Sequence, residues 1–489
     1  MLRTWIEDSR MSFKYPLLPS FPTKEDLRTL TPWVHSLLQK GFSVILERAQ
    51  RDPTYPWLDM KFSPIDGRDF SKDDPIRGKG RVYSWIQGRG LEALAEYYWY
   101  GLKCELFEQG SSEADLILQV VEKVSSALWE GWQKQGGHLF FTLSLSNWEE
   151  KGPEGRRLEG VPEPTLKGGD DSNSVSKEPG ELYTYSDIFC SRGLYAAALA
   201  LENESVKEKA RAYCIDVLDA VWEGRIYNDQ VSFDPKNPIT PVPGRKAHAP
   251  YMLMIPTVAL LCRFERQNRR KNRWFEVGLR LIEYVLEHHV NLPGTSTTRF
   301  PELAPYDFLE YLDTEGNPYV TRLQNEECIL CDPGHALEFV GLSTAFLKGR
   351  KDLSTVLSTM GESLYRVFQR NLQNGFQEKL GGIVKLFDLR NRRPVNPDMP
   401  WWSLPETMRA AWECRTWGEE AQCMRALACC WNSLVQYYIG ENPGDFCIQN
   451  RNSEGNISVT IPAVPDVDPL YHTGLPLLTV WGDKSLTGE

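Results

Sequence analysis

The chain has 489 residues, 41% of them hydrophobic and 11% aromatic, enough apolar surface for a large core and too much for global disorder. A formal net charge of −11 leaves no basic surplus to neutralise phosphates, which argues against a nucleic-acid binder. No stretch approaches the ~20 apolar residues that a membrane span needs. Sixteen Trp and twenty Tyr supply many flat, amphipathic rings, which fill cores and also form platforms against sugar faces. The eleven cysteines include the adjacent Cys429 and Cys430, and they fit buried thiols in a reducing compartment better than a disulfide framework. Met1 to Asp8 carries Glu7 and Asp8 and no apolar run, so no secretory signal is expected and a cytoplasmic location is.

In chain order, residues 1–23 read as an extended lead-in, because Pro16, Pro19 and Pro22 break any helix. From Lys24 the apolar residues Leu27, Leu30, Val34, Leu37, Leu38, Phe42 and Ile45 recur at helical spacing. Residues 52–79 are polar and turn-rich. The stretch Gly80 to Leu94 opens a second helix, and Leu116, Val120, Val124 and Leu128 mark a third, ended by Gly136 and Gly137. His138 to Leu145 reads as a short strand. Residues 149–181 hold Gly, Pro, Ser and charge in place of periodicity and are expected as an inserted surface loop. Helices are then predicted over 183–202, 204–223, 249–267 and 273–290. A second inserted loop, rich in Pro, Gly and Thr, covers 291–330. Further helices are predicted over 333–349, 352–371, 401–417, 418–440 and 468–482, the second of these carrying Leu353, Val356, Leu357, Met360, Leu364, Val367 and Phe368 on one face.

Twelve helices with no fixed-period self-similarity favour closure over an open repeat solenoid. The expected fold is all-α: one catalytic domain over 1–489, an (α/α)6 barrel of six helical hairpins with short β-hairpins and the long inserted loops. In such a ring the N-terminal ends of the inner helices converge on a central cleft.

Four stretches place reactive side chains at helix starts. Asp332-Pro333-Gly334-His335 begins a helix with His335 in its first turn and Glu338 three residues on, where a carboxylate can orient an imidazole for proton transfer. Trp401-Trp402-Ser403-Leu404-Pro405-Glu406 sets two indoles before a carboxylate. Asp468-Pro469-Leu470-Tyr471-His472 puts the last histidine of the chain at another helix start. Trp85-Ile86-Gln87-Gly88-Arg89 puts an arginine one turn beyond a tryptophan.

In collinear order, these stretches resemble motifs of the N-acylglucosamine 2-epimerase family, which includes cellobiose epimerases and aldose–ketose isomerases. Trp85 to Arg89 is similar to Trp-Leu-Gln-Gly-Arg, and Ser186-Asp187-Ile188-Phe189 to Ser-Glu-Cys-Phe. Met252-Leu253-Met254-Ile255-Pro256 resembles Pro-Met-Ala-Val-Pro, and Asp332 to Glu338 resembles Asn-Pro-Gly-His-Thr-Leu-Glu. Trp401 to Glu406 is similar to Trp-Trp-Pro-His-Ser-Glu, and Tyr471-His472 to a C-terminal Phe-His.

The resemblance implies a 2-epimerase or aldose–ketose isomerase acting at C2 of a reducing aldose, an N-acylglucosamine or N-acylmannosamine type or a neutral monosaccharide. It implies His335 and His472 as the proton-transferring pair across an enediol intermediate, Arg89 as the donor to the oxyanion at C1, and Glu338 as the group orienting His335. Trp85, Asp187, Met254, Trp401, Trp402 and Glu406 are implied as substrate-binding, with Glu406 bonding a hydroxyl or holding Arg89. Such chemistry requires no metal and no redox cofactor. The implied partners are a small sugar and a second copy of the chain in a homodimer, with neither nucleic acid nor membrane.

The sequence departs from the pattern at three places. Gly341 stands where the family usually has Trp, six residues after the motif histidine; Leu404 replaces a polar residue; and Leu475 stands where Arg usually follows the last histidine. These positions bear on the pocket wall and substrate more than on reaction class. The rival readings are a glycoside hydrolase or lyase on the same barrel, with Asp187 and Glu406 as its carboxylates, and a sugar-binding member without activity. Cys328 and Cys331 beside His335 lack further ligands for a structural zinc and read as free thiols. His288 and His289 read as cations suited to a helix C-terminus.

Overall fold

The computed structural model describes residues 14–144, 182–233, 242, 244–294, 298–323, 325–348, 355–483 and 486. Among them twelve helices form: α1 (Lys24–Arg51), α2 (Ser84–Lys103), α3 (Ser112–Lys134), α4 (Tyr185–Ala200), α5 (Glu204–Trp222), α6 (Ala249–Phe264), α7 (Asn268–His289), α8 (Pro333–Lys348), α9 (Thr355–Gly375), α10 (Ser403–Cys414), α11 (Glu420–Tyr437) and α12 (Tyr471–Trp481). The even-numbered helices are buried on nearly every side. All residues of α10 are buried, as is every residue of α4 except Leu199. A helix without a polar face needs neighbours all round it. The odd-numbered helices keep one wet face, and α7, for instance, buries Trp274, Leu281, Ile282 and Val285 along a single stripe.

Packing follows from that division. Helix α2 packs on α4, α4 on α6, α6 on α8, α8 on α10, α10 on α12, and α12 returns to α2. The inner ring is therefore closed, and the fold is the expected all-α (α/α)6 barrel. Each outer helix packs on the inner helix before it, from α3 on α2 to α11 on α10. Helix α1 packs on α12 instead, so the sixth pair is assembled from the first and last helices. Residues 14–22, expected as extended, dock on α11: the Trp431 indole donates to the Pro16 carbonyl at 2.9 Å, and Asn432 bonds the backbone of Leu18 at both ends. Much of the tryptophan content goes into the core, where Trp57, Trp412, Trp431 and Trp481 are fully buried. Each such ring contributes on the order of 2–3 kcal/mol through removal of apolar surface from water.

The long connections lie where an outer helix leads to the next inner one, and they carry the strands. Arg81–Tyr83 pairs antiparallel with Thr142–Ser144, so the strand expected near 138–145 is present in its later half. The stretch 291–330 is not the loop expected. It holds Tyr311–Leu312, then Val320–Leu323 hairpinned onto Glu326–Cys331, which pairs in turn with Leu386–Asp388 in a four-stranded sheet. Phe308, Leu309 and Leu312 are buried there, which a loop read from its Pro and Gly content does not foresee. Helix α7 starts at Asn268, ahead of the expected 273, because its first turn is polar and exposed and offers no apolar period. The 149–181 insertion and Leu353 lie outside the described residues. None of the eleven cysteines is paired in a disulfide. His289 is not a surface cation: it is fully buried, its Nδ1 lies 3.0 Å from the Leu309 carbonyl, and burial holds its pKa down at about 3.

Candidate active site

The N-terminal ends of the inner helices surround a cleft of about 710 Å³, lined by Trp85, Arg89, Glu310, His335, Glu338, Lys385, Trp401, Trp402, Asp468 and His472, among others. Its floor is Trp402, at the N-cap of α10. The indole lies between the two cleft histidines, its centroid 5.4 Å from the His335 ring and 5.4 Å from the His472 ring. Gly334 makes this possible, since a Cβ there would come within 2.7 Å of the indole's Cη2.

His335 sits in the first turn of α8, which begins at Pro333; the Gly334 N–H bonds the Asp332 carboxylate at 2.9 Å. The ring's Nδ1 is 2.9 Å from Glu310 Oε1 and 3.5 Å from Asp332 Oδ2. Glu310 is shared: its Oε2 lies 3.2 Å from Nε2 of the fully buried His248. The Lys385 ammonium donates to Asp332 Oδ2 at 2.5 Å and sits 5.2 Å from the Trp402 ring centroid. Burial disfavours a charged His335, but the Asp332 and Glu310 carboxylates outweigh it and raise the pKa to about 9. Glu310 behaves in the complementary way. Burial pushes its carboxyl up, and the two imidazoles overcome that and hold it well below the usual range.

His472 follows Leu470, which takes a left-handed backbone at φ 63° before α12. That conformation costs a non-glycine residue on the order of 1 kcal/mol. The backbone N–H of His472 bonds Asp468 Oδ2 at 3.1 Å, and its Nδ1 lies 3.0 Å from Glu406 Oε1. Here burial, with Arg89 and Arg409 added to it, outweighs Glu338 and holds the imidazole well below its ordinary pKa. Burial likewise pushes Glu406 up to about 7, against Arg409 and Arg89, and Asp468 up to about 7 against Arg89. Arg89 is caged by rings, its guanidinium carbon 4.2 Å from the Phe189 centroid, 5.0 Å from Trp85 and 5.2 Å from Tyr471. Its Nε–H is buried and donates to no acceptor among the described residues. Among the described residues, two groups bring metal-type ligand atoms within 4.8 Å of one another, His248–Glu310–His335 and Glu338–Glu406–His472. In each, the closest nitrogen and carboxylate pairs stand at hydrogen-bond distance.

Of the residues nominated from sequence, Arg89, Trp85, Glu338, His335, Trp401, Trp402 and His472 line this one cleft. Trp85 and Trp401 are fixed through their indole N–H groups, to Ser186 at 2.8 Å and Thr473 at 3.2 Å. Four expectations need correction. Glu338 does not orient His335; that contact belongs to Glu310 and Asp332, while Glu338, one turn further along α8, groups with Glu406 and His472. Glu406 does not line the cleft and is not hydrogen-bonded to Arg89; it lies behind His472, one oxygen on the imidazole and the other bonded by Arg409. Asp187 is fully buried in the capping box of α4, bonded by Thr184, Leu139 and Tyr213, and does not border the cleft. Met254 is buried in the barrel wall, where Met252 and Leu253 face the cleft instead. The Asp187–Glu406 pair that a hydrolase would need is therefore not assembled.

Glu310, Asp332, Lys385 and Arg409 were not nominated. Glu310 as the one charged residue in the apolar run Phe308-Leu309-Glu310-Tyr311-Leu312 is a weak signal for a carboxylate carried inward on extended chain. Lys385 and Arg409 have no sequence signal of their own.

Comparison with known proteins gives one family and one architecture. A family model described as N-acylglucosamine 2-epimerase (GlcNAc 2-epimerase) matches residues 177–474, more than half of the chain. No curated protein matches. Among solved structures the chain is similar to a cellobiose 2-epimerase from Spirochaeta thermophila, with a TM-score of 0.62 at 13% identity, covering 94% of this chain and 98% of that one. A D-mannose isomerase superposes with a TM-score of 0.61 at 14% identity, covering 92% and 97%. A sugar epimerase from a ruminal bacterium gives 0.60 at 13%, covering 92% and 98%. At such identities the structural likeness speaks for the barrel alone.

Proposed function

The chain belongs to the N-acylglucosamine 2-epimerase family and is a carbohydrate isomerase, and from that premise we propose that it moves a proton at C2 of a reducing aldose between His472 and His335. The observation that carries this reading is the opposed poise of two imidazoles on either side of one indole. His335, raised to about 9, is the acid at neutral pH, and His472, held well below its ordinary pKa, is the base. Each has a carboxylate at Nδ1, at 2.9 Å and 3.0 Å, which fixes the ring and leaves Nε2 for the cleft.

The open-chain sugar lies with its C1–C2 bond over Trp402. Nε2 of His472 takes the C2 proton, the C–H electron pair becomes a C1–C2 double bond, and the carbonyl electrons pass to O1. Arg89 is the cation beside that enediolate, in a site where a fixed positive group acts at low dielectric. His335 then returns a proton to C2 from the opposite face and the carbonyl re-forms at C1, giving the 2-epimer; delivery to C1, with the O2 hydroxyl proton passing to O1 and the carbonyl forming at C2, gives the ketose. General acid–base catalysis of this kind supplies roughly 10²–10⁴-fold per group. The substrate is a monosaccharide, neutral or N-acylated at C2.

The test is a panel of aldoses, N-acylglucosamine and N-acylmannosamine types included, incubated in deuterated water and read by NMR for exchange at C2. Exchange that is lost in His335→Ala and in His472→Ala supports the mechanism. Full exchange in both variants refutes it.

A further inference from the structure

Behind His472, on the side away from the cleft, the barrel holds a second cavity of about 550 Å³, bordered by Glu92, Leu342, Arg409, Glu413 and Leu475. Arg409 forms the partition. It stands three residues after Glu406 on α10, one turn along the same face, and its Nη2 donates to Glu406 Oε2 while Glu406 Oε1 holds His472. Its Cγ and Nε each come within 3.3 Å of the point where a Cβ on Gly341 would stand, and the Ala410 nitrogen within 3.1 Å. Any side chain at 341 therefore pushes on the arginine, and an indole would take its place. Leu475, one turn after His472, borders the same cavity and brings no charge. Thus Gly341 and Leu475, two of the places where the chain departs from the pattern it resembles, both face the space that Arg409 fills.

We propose that Arg409 is the positioning residue of the His472 side, holding Glu406 as a carboxylate so that it accepts the Nδ1 proton of His472 and keeps Nε2 bare, and that Gly341 is what gives Arg409 room. The inference rests on the proposed role of His472 as base. Physically, a carboxyl sealed in the barrel pays to ionise, and it does so only with a bonded cation. The other charged groups around the pair do not supply one. From α2, Arg89 lies near but is not bonded to Glu406, and Glu92 is bonded by Arg192 from α4 and adds negative charge. From α8 come Glu338 and His335, and from the segment before α12 comes Asp468, a further carboxyl. Burial already brings Glu406 to about 7 with Arg409 in place, so loss of that cation leaves it protonated through the neutral range. A protonated Glu406 donates to Nδ1, and the proton of the neutral ring moves to Nε2, where it blocks the base.

The experiment uses full-length protein labelled with ¹⁵N-histidine, with the His472 signals assigned by their loss in His472→Gln, and needs no substrate. Wild type is expected to show the Nδ1–H tautomer of His472 once Glu406 has ionised, above about pH 7. In Arg409→Met the Nε2–H tautomer is expected to grow in, and Arg409→Lys is expected to fall between. In the same variants the acid limb of C2 exchange moves up in pH by a unit or more, so Arg409→Met loses at least tenfold near pH 6 and much less above pH 8. A folded Arg409→Met whose His472 keeps the wild-type tautomer overturns the proposal. If that variant does not fold, wild-type tautomer and profile in Arg409→Lys overturn it instead. Wild type that shows the Nδ1–H tautomer yet exchanges no sugar would count against the proposed function and leave the tautomer result standing.

Discussion

Replacing Glu310 with glutamine removes one negative charge 2.9 Å from His335 Nδ1 at nearly constant volume. His335 is raised from 6.5 to about 9, which at about 1.4 kcal/mol per unit is roughly 3 kcal/mol of preference for the charged ring. Asp332 remains in the variant and still raises the ring, but so does the burial that opposes ionisation, so the pKa should fall well below 9. A fall of about two units takes the acid form at about pH 8 from roughly nine-tenths of the enzyme to about a tenth, and the rate falls about tenfold, while near pH 6 it changes by less than about twofold. The assay is the rate of C2 proton exchange between about pH 5.5 and 10 for both proteins. Stability moves with the same sign. A folded pKa above the unfolded one means that this ion pair contributes fully below about 6.5 and loses its contribution as pH rises through about 9. The Tm difference between wild type and variant should therefore be largest in mild acid and shrink above about pH 9. A pH-independent loss of rate with the alkaline limb still near 9 would refute the argument, because it would mean that Glu310 only shapes the site.

Three further outcomes follow from the same geometry. With one histidine taking the proton and the other giving a different one, the product formed in deuterated water should carry deuterium at C2 before the substrate pool does; equal labelling from the first turnover would point to one base serving both faces. Arg89→Met should lower kcat by about 10²–10³ with a small change in KM, as expected when a donor to a developing oxyanion is lost, and steady-state kinetics on the active sugar measure that split. Asp187→Asn should lower Tm by a few degrees while kcat stays within about twofold, since the carboxylate is fully buried in the α4 capping box and apart from the cleft; calorimetry beside the exchange assay decides it.

The barrel was legible because its signal is repeated along the chain. Twelve apolar periods, each long enough to identify, mark out the helices, and boundaries differ by a few residues, as where the polar first turn of α7 begins at Asn268, where α10 ends early after Cys414, where α9 runs on to Gly375 and where α12 begins only at Tyr471. The cleft residues were legible where they lie in the same short stretch as a helix start, as with His335, Trp402 and His472. What could not be read is pairing between distant segments. His335 and Glu338 share a helix, so spacing invites their pairing, yet the carboxylate that bonds the ring comes from Glu310, 25 residues upstream in a connection that reads as loop. Asp187 misled for the converse reason: it occupies the helix-start position typical of the functional residues, and there it serves the helix itself.

The same local device, a carboxylate bonded to Nδ1, yields an acid on one side of Trp402 and a base on the other. The difference lies in what the carboxylates themselves touch. Around His335 two carboxylates, Glu310 and Asp332, face one nearby ammonium, Lys385, which leaves a net negative surrounding for the ring, and its side chain is 28% exposed to the cleft. Around His472 the Glu406 carboxylate is bonded by Arg409 and Arg89 stands close by, so the negative charge that reaches the imidazole is largely cancelled, and its side chain is only 10% exposed. Burial then decides the second ring and charge decides the first. Exchanging the surroundings, not the histidines, is what would exchange the roles. A neutral residue at Lys385 should raise His335 further, and a neutral residue at Arg89 should let the His472 pKa rise toward its ordinary value. The acid limb of the exchange profile should then move up in Arg89→Met, and an acid limb that stays in place would assign the low pKa of His472 to burial alone.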